Sequence, residues 1–307
     1  MKLVSFRIPS PTGYQVRSGA VVSEHVVVDL EASHRVMLLQ NGYSEAGARR
    51  ISEALTPTDM TAFIEGGESS LEAARKVLAW AGIPPGDSVA FGIRYTYAFN
   101  NLHLLCPVPK PRLIRDFMVF ETHLKNIFPK LGREIPPEWY KLPVYYKGNP
   151  HAVGAHTEDI PLPEYASELD FEFEFGIVIG KQGRNIPKEK AMEHVFGYML
   201  YNDFSAREIQ GREMSVGLGP AKGKDFGHAH VFGPWLVTAD AIDDVYDLPM
   251  LCRINGETYM ESNSGTMHWK IDDMIQHASW EETIYPGEIF GSGTVGEGAG
   301  AERDEFL

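Results

Sequence analysis

The residues best suited to chemistry in this sequence lie in a run where glutamates alternate with phenylalanines. In a β-strand Glu172 and Glu174 share one face, about 7 Å apart, while Phe171, Phe173 and Phe175 point to the other face and into a core. Two carboxylates on one face repel each other, and a hard divalent cation between them relieves that repulsion. A solvated acidic face on an edge strand is the alternative interpretation.

A third carboxylate follows at the end of the next apolar strand, which runs into Asn202 and Asp203. Asp203 could complete a metal site with the two glutamates, and Ser205 could cap a following helix. Arg207 and Gln210 are three residues apart, so on a helix both could face the same cavity. Alternatively, Asp203 is itself a helix cap and Arg207 its partner at the surface.

Upstream, Asp116 and His123 are seven residues apart, which on a helix is two turns on one face. An acid and an imidazole on a common face suit a metal ligand with a general base beside it. The alternative is a solvated helix face.

Two glycine-rich loops could contribute further groups. The loop that ends in Lys222 and Lys224 could place one ammonium near the carboxylates, to hold an oxyanion or a substrate carboxylate. The loop around Thr294 permits close approach of a ligand to the backbone and adds a hydroxyl donor. Solvated, flexible loops are the alternative for both.

Composition excludes several classes of function. The chain has 307 residues, with 28 Lys and Arg against 42 Asp and Glu, a formal net charge of −14 that argues against nucleic acids and anionic membranes as partners. There is no apolar run of about 18 residues, so no membrane span is predicted. Cys106 and Cys252 are far apart in apolar surroundings, which predicts free thiols in a reducing cytoplasm.

The elements that must position these groups fall into two parts. Residues 1–108 combine alternating strand patterns with amphipathic helices over 44–55 and 69–80, and predict a small N-terminal domain. A proline-rich junction, Pro107 to Pro111, separates it from a strand-rich domain over 109–307. Within that domain Asn255-Gly256 predicts a hairpin and the periodicity over 269–278 predicts a helix.

Together these motifs resemble the fumarylacetoacetate hydrolase family over nearly the whole chain. The resemblance rests on five correspondences in chain order: Asp116 with His123, Glu172-x-Glu174, Asn202-Asp203 continuing through Ser205-Ala206-Arg207 to Gln210, Gly223-Lys224-Asp225-Phe226-Gly227, and Gly291-Ser292-Gly293-Thr294. It implies an α+β fold, with a mixed β-roll catalytic domain of the fumarylacetoacetase C-terminal type and a small N-terminal α+β domain. It also implies a homodimer.

The resemblance further implies one bound Mg²⁺, Mn²⁺ or Ca²⁺, and all-oxygen ligands agree with such hard cations. The implied metal ligands are Asp116, Glu172, Glu174 and Asp203.

The implied reaction is hydrolytic cleavage of a carbon–carbon bond in a β-diketo acid, within the catabolism of aromatic or related carbon compounds. His123 is the implied general base and Lys224 steadies the oxyanion. Glu302 would orient His123, with Glu121 as a local alternative. The implied substrate contacts come from Arg207, Gln210 and Thr294, with Tyr145, Tyr146 and Lys147 as further candidates.

Other reactions remain open on the same scaffold. A decarboxylase, isomerase or hydratase of a short oxo acid would use the same metal, and a metal-binding protein without turnover is a more distant alternative.

Overall fold

The computed structural model describes residues 1–84 and 86–307. Its first part consists of β1 (Lys2–Ser10), β2 (Gly13–Ser23), β3 (Val26–Asp29), α1 (Leu30–Gln40), α2 (Glu45–Leu55), α3 (Met60–Glu65), α4 (Gly67–Ala81), β4 (Ser88–Ala90), β5 (Ile93–Ala98) and β6 (His103–Leu104). The amphipathic helices predicted over 44–55 and 69–80 are present as α2 and α4. Ser44 caps α2 by accepting a hydrogen bond from the backbone N–H of Gly47.

The second part carries the remaining elements: β7 (Ile114–Phe117), α5 (Glu121–Ile127), β8 (Tyr145–Gly148), β9 (Val153–Ala155), β10 (Leu169–Asp170), β11 (Phe173–Ile179), β12 (Val195–Asp203), β13 (Ser205–Ala206), α6 (Arg207–Ser215), β14 (His230–Thr238), β15 (Pro249–Ile254), β16 (Glu257–Asn263), α7 (Ile271–Ser279) and β17 (Ile289–Gly291). The predicted hairpin joins β15 to β16. Asn255 and Gly256 both adopt positive φ at its turn, as a two-residue connection of this kind requires.

A 13-stranded mixed sheet organises the molecule, with the path β4-β5-β3-β2-β1-β14-β12-β11-β17-β7-β8. β6 pairs with β1 and β9 pairs with β14, and the β17–β7 and β14–β9 pairs are parallel. This is the predicted α+β class. Because β1 pairs with β14, the sheet is continuous between the predicted domains, and the division after residue 108 stays an interpretation.

Apolar packing holds the site strands rigid. One core cluster packs the inner faces of β11 and β17 against α7, with Ile177, Phe290 and Ile275 fully buried. A second packs the opposite face of the same strands, through Val178 and Ile289, against residues of α3 and α4. A sheet that is covered on both faces in this way holds the side chains of its inner strands in fixed positions. Across the described part of the chain, no helix is long and apolar enough to cross a membrane.

Candidate active site

Three acidic side chains from three different strands meet inside the protein. Asp203 ends β12, Glu174 lies near the start of β11, and Asp116 lies on β7. All three are buried, and one carboxylate oxygen from each lies within 4.8 Å of the others. The sheet therefore gathers Asp116, Glu174 and Asp203 into one acidic triad.

The strand β17 lies between β11 and β7, and its residue Gly291 allows Asp116 and Glu174 to approach each other across it. Gly291 is paired with Gly176 on one side and with Asp116 on the other. A side chain on Gly291 would overlap the Asp116 carboxylate. Without a Cβ there, the Asp116 side chain can extend over β17 toward Glu174.

Among the described residues, Asp116 Oδ1 and Glu174 Oε1 have no hydrogen-bond donor. Asp203 Oδ1 also accepts no hydrogen bond, but it lies 3.1 Å from the imidazole nitrogen Nδ1 of His230. The second oxygen of Glu174 accepts from the backbone N–H of Gly293 at 2.8 Å. Buried acceptors without donors are rare in folded proteins and need an explanation. Together with one oxygen of Asp203, these acceptors supply an all-oxygen donor set that fits a hard divalent cation.

Electrostatics supports the same conclusion. Burial, and then repulsion from neighbouring carboxylates, raises the pKa values of both Asp116 and Glu174 well above their usual range. Burial also opposes ionisation of Asp203, but the Lys224 ammonium and the imidazole of His230 outweigh it and lower the Asp203 pKa. A cation bound by these oxygens would neutralise the repulsion among the carboxylates.

Lys224 is the positive group that faces the triad. It is buried, and its Nζ donates to Asp203 Oδ2 at 2.6 Å and to Glu172 Oε2 at 2.5 Å. Burial lowers its pKa, but the attraction of Asp203 and Glu172 is larger and raises the pKa overall. The alternative of a solvated loop lysine is therefore wrong for Lys224.

Glu172 lies beside the triad and not within its 4.8 Å group. Besides Lys224, it pairs with Arg207, whose Nη1 lies 2.7 Å from Glu172 Oε1. These two cations outweigh the effect of burial and lower the Glu172 pKa. Both carboxylate oxygens of Glu172 are thus occupied, and its role as a metal ligand stays a prediction.

His123 and Glu302 form a buried pair, with His123 Nδ1 and Glu302 Oε1 2.8 Å apart. His123 lies close enough to Glu172 to affect the pKa of that carboxylate, which places the imidazole at the same site. Glu302 also accepts from Asn126 Nδ2 at 2.6 Å and from the backbone N–H of Glu297 at 2.8 Å. Glu121, the local alternative, instead accepts from Tyr140.

The structure corrects two interpretations of local spacing. Asp116 and His123 do not share a helix, because Asp116 lies on β7 and His123 on α5. Ser205 does not cap α6: the cap position is Ala206, which has no side-chain hydrogen bond, and Ser205 Oγ donates to the Asp203 carbonyl. In both cases a strand occupies residues to which the spacing rule assigned a helical role.

The predicted substrate contacts lie around the triad. Arg207 Nη1 donates to Gln210 Oε1 at 2.9 Å, so these two side chains do face one another on α6. Thr294 is buried in the loop that follows β17.

Tyr146 is opposite Asp116 across β8 and β7, and its hydroxyl donates to Asp203 Oδ2 at 2.8 Å. Tyr145 and Lys147 point elsewhere, to Arg115 and Glu282 respectively.

Sequence reasoning assigned no role to Asp170, and for His230, which follows Lys224, it predicted only a position near the site without metal binding. His230 bridges the site to Asp225, with Nε2 3.0 Å from Asp225 Oδ1, and its Nδ1 lies 3.1 Å from Asp203 Oδ1. Burial lowers its pKa, but Asp203 and Asp225 raise it overall to about 9. Asp170 is fully buried and pairs with Arg207 Nε at 2.7 Å. His230 gave no spacing signal, whereas Asp170 stood two residues before Glu172 in the acidic run.

Comparison with known proteins shows which family this chain resembles. Residues 112–307 match the fumarylacetoacetate (FAA) hydrolase C-terminal family. Two mitochondrial oxaloacetate tautomerases are similar to the chain. That of Xenopus laevis is 34% identical over 239 residues, 78% of this chain and 68% of the relative. That of Homo sapiens is 33% identical over 241 residues, 78% and 69% of the two chains.

Solved structures share the fold over nearly the whole chain. Maleylpyruvate hydrolase from Sphingobium sp. SYK-6, in complex with manganese(II) ion and pyruvate, matches with a TM-score of 0.67 and 24% identity, covering 98% of this chain and 90% of that one. The 5-carboxymethyl-2-hydroxymuconate delta-isomerase of Mycobacterium smegmatis matches with a TM-score of 0.62 and 20% identity, covering 98% and 90%.

Proposed function

Because this chain belongs to the fumarylacetoacetate hydrolase family, we propose that it is a divalent-metal-dependent hydrolase that cleaves a carbon–carbon bond of a β-diketo acid. One observation supports the proposal most. A buried triad, in which Asp116 and Glu174 each keep a carboxylate oxygen without a donor among the described residues, lies beside a histidine that a buried glutamate orients. A metal site next to a positioned general base suits reactions that create and quench a carbanion next to a carbonyl group.

Asp116, Glu174 and Asp203 would hold the ion, with Glu172 as the fourth predicted ligand. The oxygen donors favour Mg²⁺, Mn²⁺ or Ca²⁺ over softer metals. When bound, such an ion supplies a Lewis acid that polarises the carbonyl oxygens of an oxo acid. It would also neutralise the repulsion that raises the pKa values of Asp116 and Glu174.

His123 is proposed as the general base. Its Nδ1 faces Glu302 Oε1, a carboxylate oxygen that accepts hydrogen bonds, so Nδ1 carries the hydrogen and Nε2 keeps a lone pair. During hydrolysis His123 takes a proton from water, whose oxygen bonds to the distal carbonyl carbon of the substrate. The bond from that carbon to the neighbouring methylene breaks, and the methylene carbon takes up the proton. The products are a carboxylic acid and a shorter oxo acid, which is a 2-oxo acid when the substrate is an acylpyruvate.

The remaining residues would bind the charged ends of the substrate. Lys224 has three ammonium hydrogens and donates to two carboxylates, so one donor is left for a substrate oxygen. The Gln210 amide oxygen accepts from Arg207, which leaves the amide nitrogen as the group that would donate to a substrate oxygen. Thr294, which is buried in the loop after β17, would add a hydroxyl.

A tautomerase acting on a 2-oxo diacid is a second candidate function. The observation in its favour is that relatives 33–34% identical over 78% of this chain are named oxaloacetate tautomerases. The same residues would serve it: His123 would move a proton between the carbon next to the carbonyl group and the enol oxygen, without adding water. The two functions therefore share a base and a metal and differ in whether water becomes part of the product.

Turnover assays in H₂¹⁸O separate the candidates. The protein loaded with Mn²⁺ or Mg²⁺ is offered acylpyruvates, fumarylacetoacetate and freshly dissolved enol-oxaloacetate. The hydrolase predicts release of a carboxylic acid carrying one ¹⁸O atom from a diketo acid. Loss of the enol absorbance of oxaloacetate without any release of acid from the diketo acids supports the tautomerase and contradicts the hydrolase. Loss of CO₂ from oxaloacetate indicates a decarboxylase, and inactivity on all substrates supports metal binding without turnover.

We further propose a homodimer in the cytoplasm. Two relatives carry names that place them in mitochondria, so localisation is tested directly by fractionation. Light scattering of the purified chain, with a monomer mass of 34.2 kDa, measures the oligomeric state.

A further inference from the structure

A buried carboxylate outside the acidic triad joins two parts of the site that are far apart in the chain. Asp170 ends the short strand β10, and its side chain is fully buried. Its Oδ1 accepts from the backbone N–H groups of Phe171 and Gly300, each at 2.8 Å. Its Oδ2 accepts from Arg207 Nε at 2.7 Å and from the backbone N–H of Ala301 at 3.0 Å.

These contacts connect Arg207 with the turn that carries Glu302. The 3₁₀ turn Gly300–Glu302 donates two successive backbone N–H groups to Asp170, and the next residue is Glu302, which holds His123. On the other side Arg207 pairs with Glu172. One carboxylate is thus the common partner of a predicted substrate-binding side chain and of the turn that orients the general base.

The packing around the turn shows how closely it is fitted. A Cβ on Gly300 would lie 2.5 Å from Asp170 Oδ1 and 2.1 Å from the carbonyl oxygen of Glu305. The chain after the turn is also held, since the backbone N–H of Leu307 donates to the Leu169 carbonyl at 2.9 Å. The position of Glu302 therefore depends on β10, and the carboxylate of Asp170 makes the polar part of that attachment.

We propose that Asp170 is a positioning residue, which sets the place of Glu302 against His123 and of Arg207 against Glu172. This inference rests on the proposed acid–base role of His123. An acceptor with four donors fixes each partner more narrowly than one hydrogen bond, and residues that orient a catalytic group typically affect activity about 10–100-fold. Asp170 has no proposed contact with substrate or metal.

The test compares Asp170→Asn with a matched control. Asp29 is also buried, pairs with Arg17 Nε at 2.7 Å, and accepts from the backbone N–H of Ala32 at 3.0 Å, but it lies in the N-terminal part of the chain. Asp29→Asn should lower the melting temperature and leave kcat and KM within about twofold. Asp170→Asn should lower kcat about 10–100-fold and raise KM, at a temperature where both variants are folded.

Combination with Glu302→Gln shows whether Asp170 acts through that residue. If it does, Asp170→Asn added to Glu302→Gln lowers kcat no further than Glu302→Gln alone, because effects on one linked group are not additive. The proposal would be overturned if the double variant lost activity by the product of the two single-variant factors. It would also be overturned if the kcat of Asp170→Asn stayed within twofold of the wild type.

A spectroscopic measurement does not depend on turnover. In protein labelled with ¹⁵N-histidine, the Nδ1–H signal of His123, assigned by its absence in His123→Gln, should shift or broaden in Asp170→Asn and stay unchanged in Asp29→Asn. If the wild type turns over none of the oxo acids, the proposed function fails while this signal still tests Asp170; an unchanged signal refutes the positioning role. Should Asp170→Asn not fold, Gly300→Ala, whose Cβ would lie against Asp170 Oδ1, displaces the same turn and must shift or broaden the same signal.

Discussion

A Cβ atom on Gly291 would lie 2.3 Å from the Oδ1 of Asp116. Carbon and oxygen atoms that are not bonded to each other do not approach so closely, so the Asp116 side chain or the backbone would have to move. The glycine stands on β17, between the strands that carry Asp116 and Glu174. The acidic triad thus depends on a residue that has no polar side chain, and this relationship leads to the first prediction.

Gly291→Ala should weaken metal binding at least tenfold, because the Asp116 carboxylate must move away from Glu174. The overpacking should also lower the free energy of unfolding by about 1–3 kcal/mol. Titration calorimetry with Mn²⁺ measures the first effect and urea unfolding the second. Gly211→Ala, at a glycine of α6 where a Cβ has free space, is the control and should leave Mn²⁺ affinity unchanged. Equal affinity in both variants would contradict this account of the site.

Metal binding should become tighter as the pH rises and should release protons. The pKa values of Asp116 and Glu174 are raised in the metal-free protein, so protons compete with the cation for these carboxylates at low pH. Calorimetric titrations with Mn²⁺ between pH 5.5 and 8, in two buffers of different ionisation enthalpy, count the released protons. A binding enthalpy that is the same in both buffers at every pH would refute this prediction.

Lys224→Met should destabilise the metal-free protein by about 3 kcal/mol, since it removes one partner of a buried charge cluster and leaves Glu172 and the triad carboxylates to repel one another. A divalent cation would supply the missing positive charge. The increase in melting temperature on adding saturating Mn²⁺ should therefore be larger in the variant than in the wild type. Lys224→Arg keeps the charge, so its increase in melting temperature on adding Mn²⁺ should be closer to that of the wild type. An equal increase in all three proteins would disagree with the proposed electrostatics.

His123→Gln should lower kcat by about 10²–10⁴-fold, the usual contribution of a general base, without weakening Mn²⁺ binding. Glu302→Gln should lower kcat less, because His123 remains but loses the acceptor that fixes its tautomer. Steady-state kinetics on the best substrate and Mn²⁺ titrations measure both effects. Full activity of His123→Gln would remove the base from the mechanism.

The stability contribution of Glu282 should be present at neutral pH and lost in acid. Hydrogen bonds from Arg115, and then from Lys147, lower its pKa to about 2 against an ordinary 4.5. A lowered carboxyl pKa stabilises the fold above pH 4.5, and that contribution disappears as the pH falls from 4.5 toward 2. The difference in unfolding free energy between wild type and Glu282→Gln should be below about 1 kcal/mol at pH 7, because the group is partly exposed, and near zero at pH 2. Melting temperatures of the two proteins at pH 7, 4 and 2.5 measure this difference. A difference that becomes larger as the pH falls would contradict the lowered pKa of Glu282.

Much of the local structure could be predicted from the sequence. The apolar periodicity marked α2, α4 and α7 to within about two residues at their ends, and Asn255-Gly256 marked the β15–β16 turn. Spacing rules failed where a strand gave way to a helix within a few residues, as between Asp116 and His123. A seven-residue spacing in the sequence does not show whether the interval is helix or strand, and only the surrounding sheet fixes which one forms.

The sequence by itself determined which groups are available: the acidic residues, one histidine with a possible partner, a lysine after a glycine loop, and their order along the chain. The tertiary structure decided which of them meet. It brought Asp116, Glu174 and Asp203 together across β7, β11 and β12, paired Glu172 with Lys224 and Arg207, and placed Asp170 under the turn that carries Glu302. These choices depend on strand order and on missing Cβ atoms such as that of Gly291, because a carboxylate reaches only a few ångströms from its backbone.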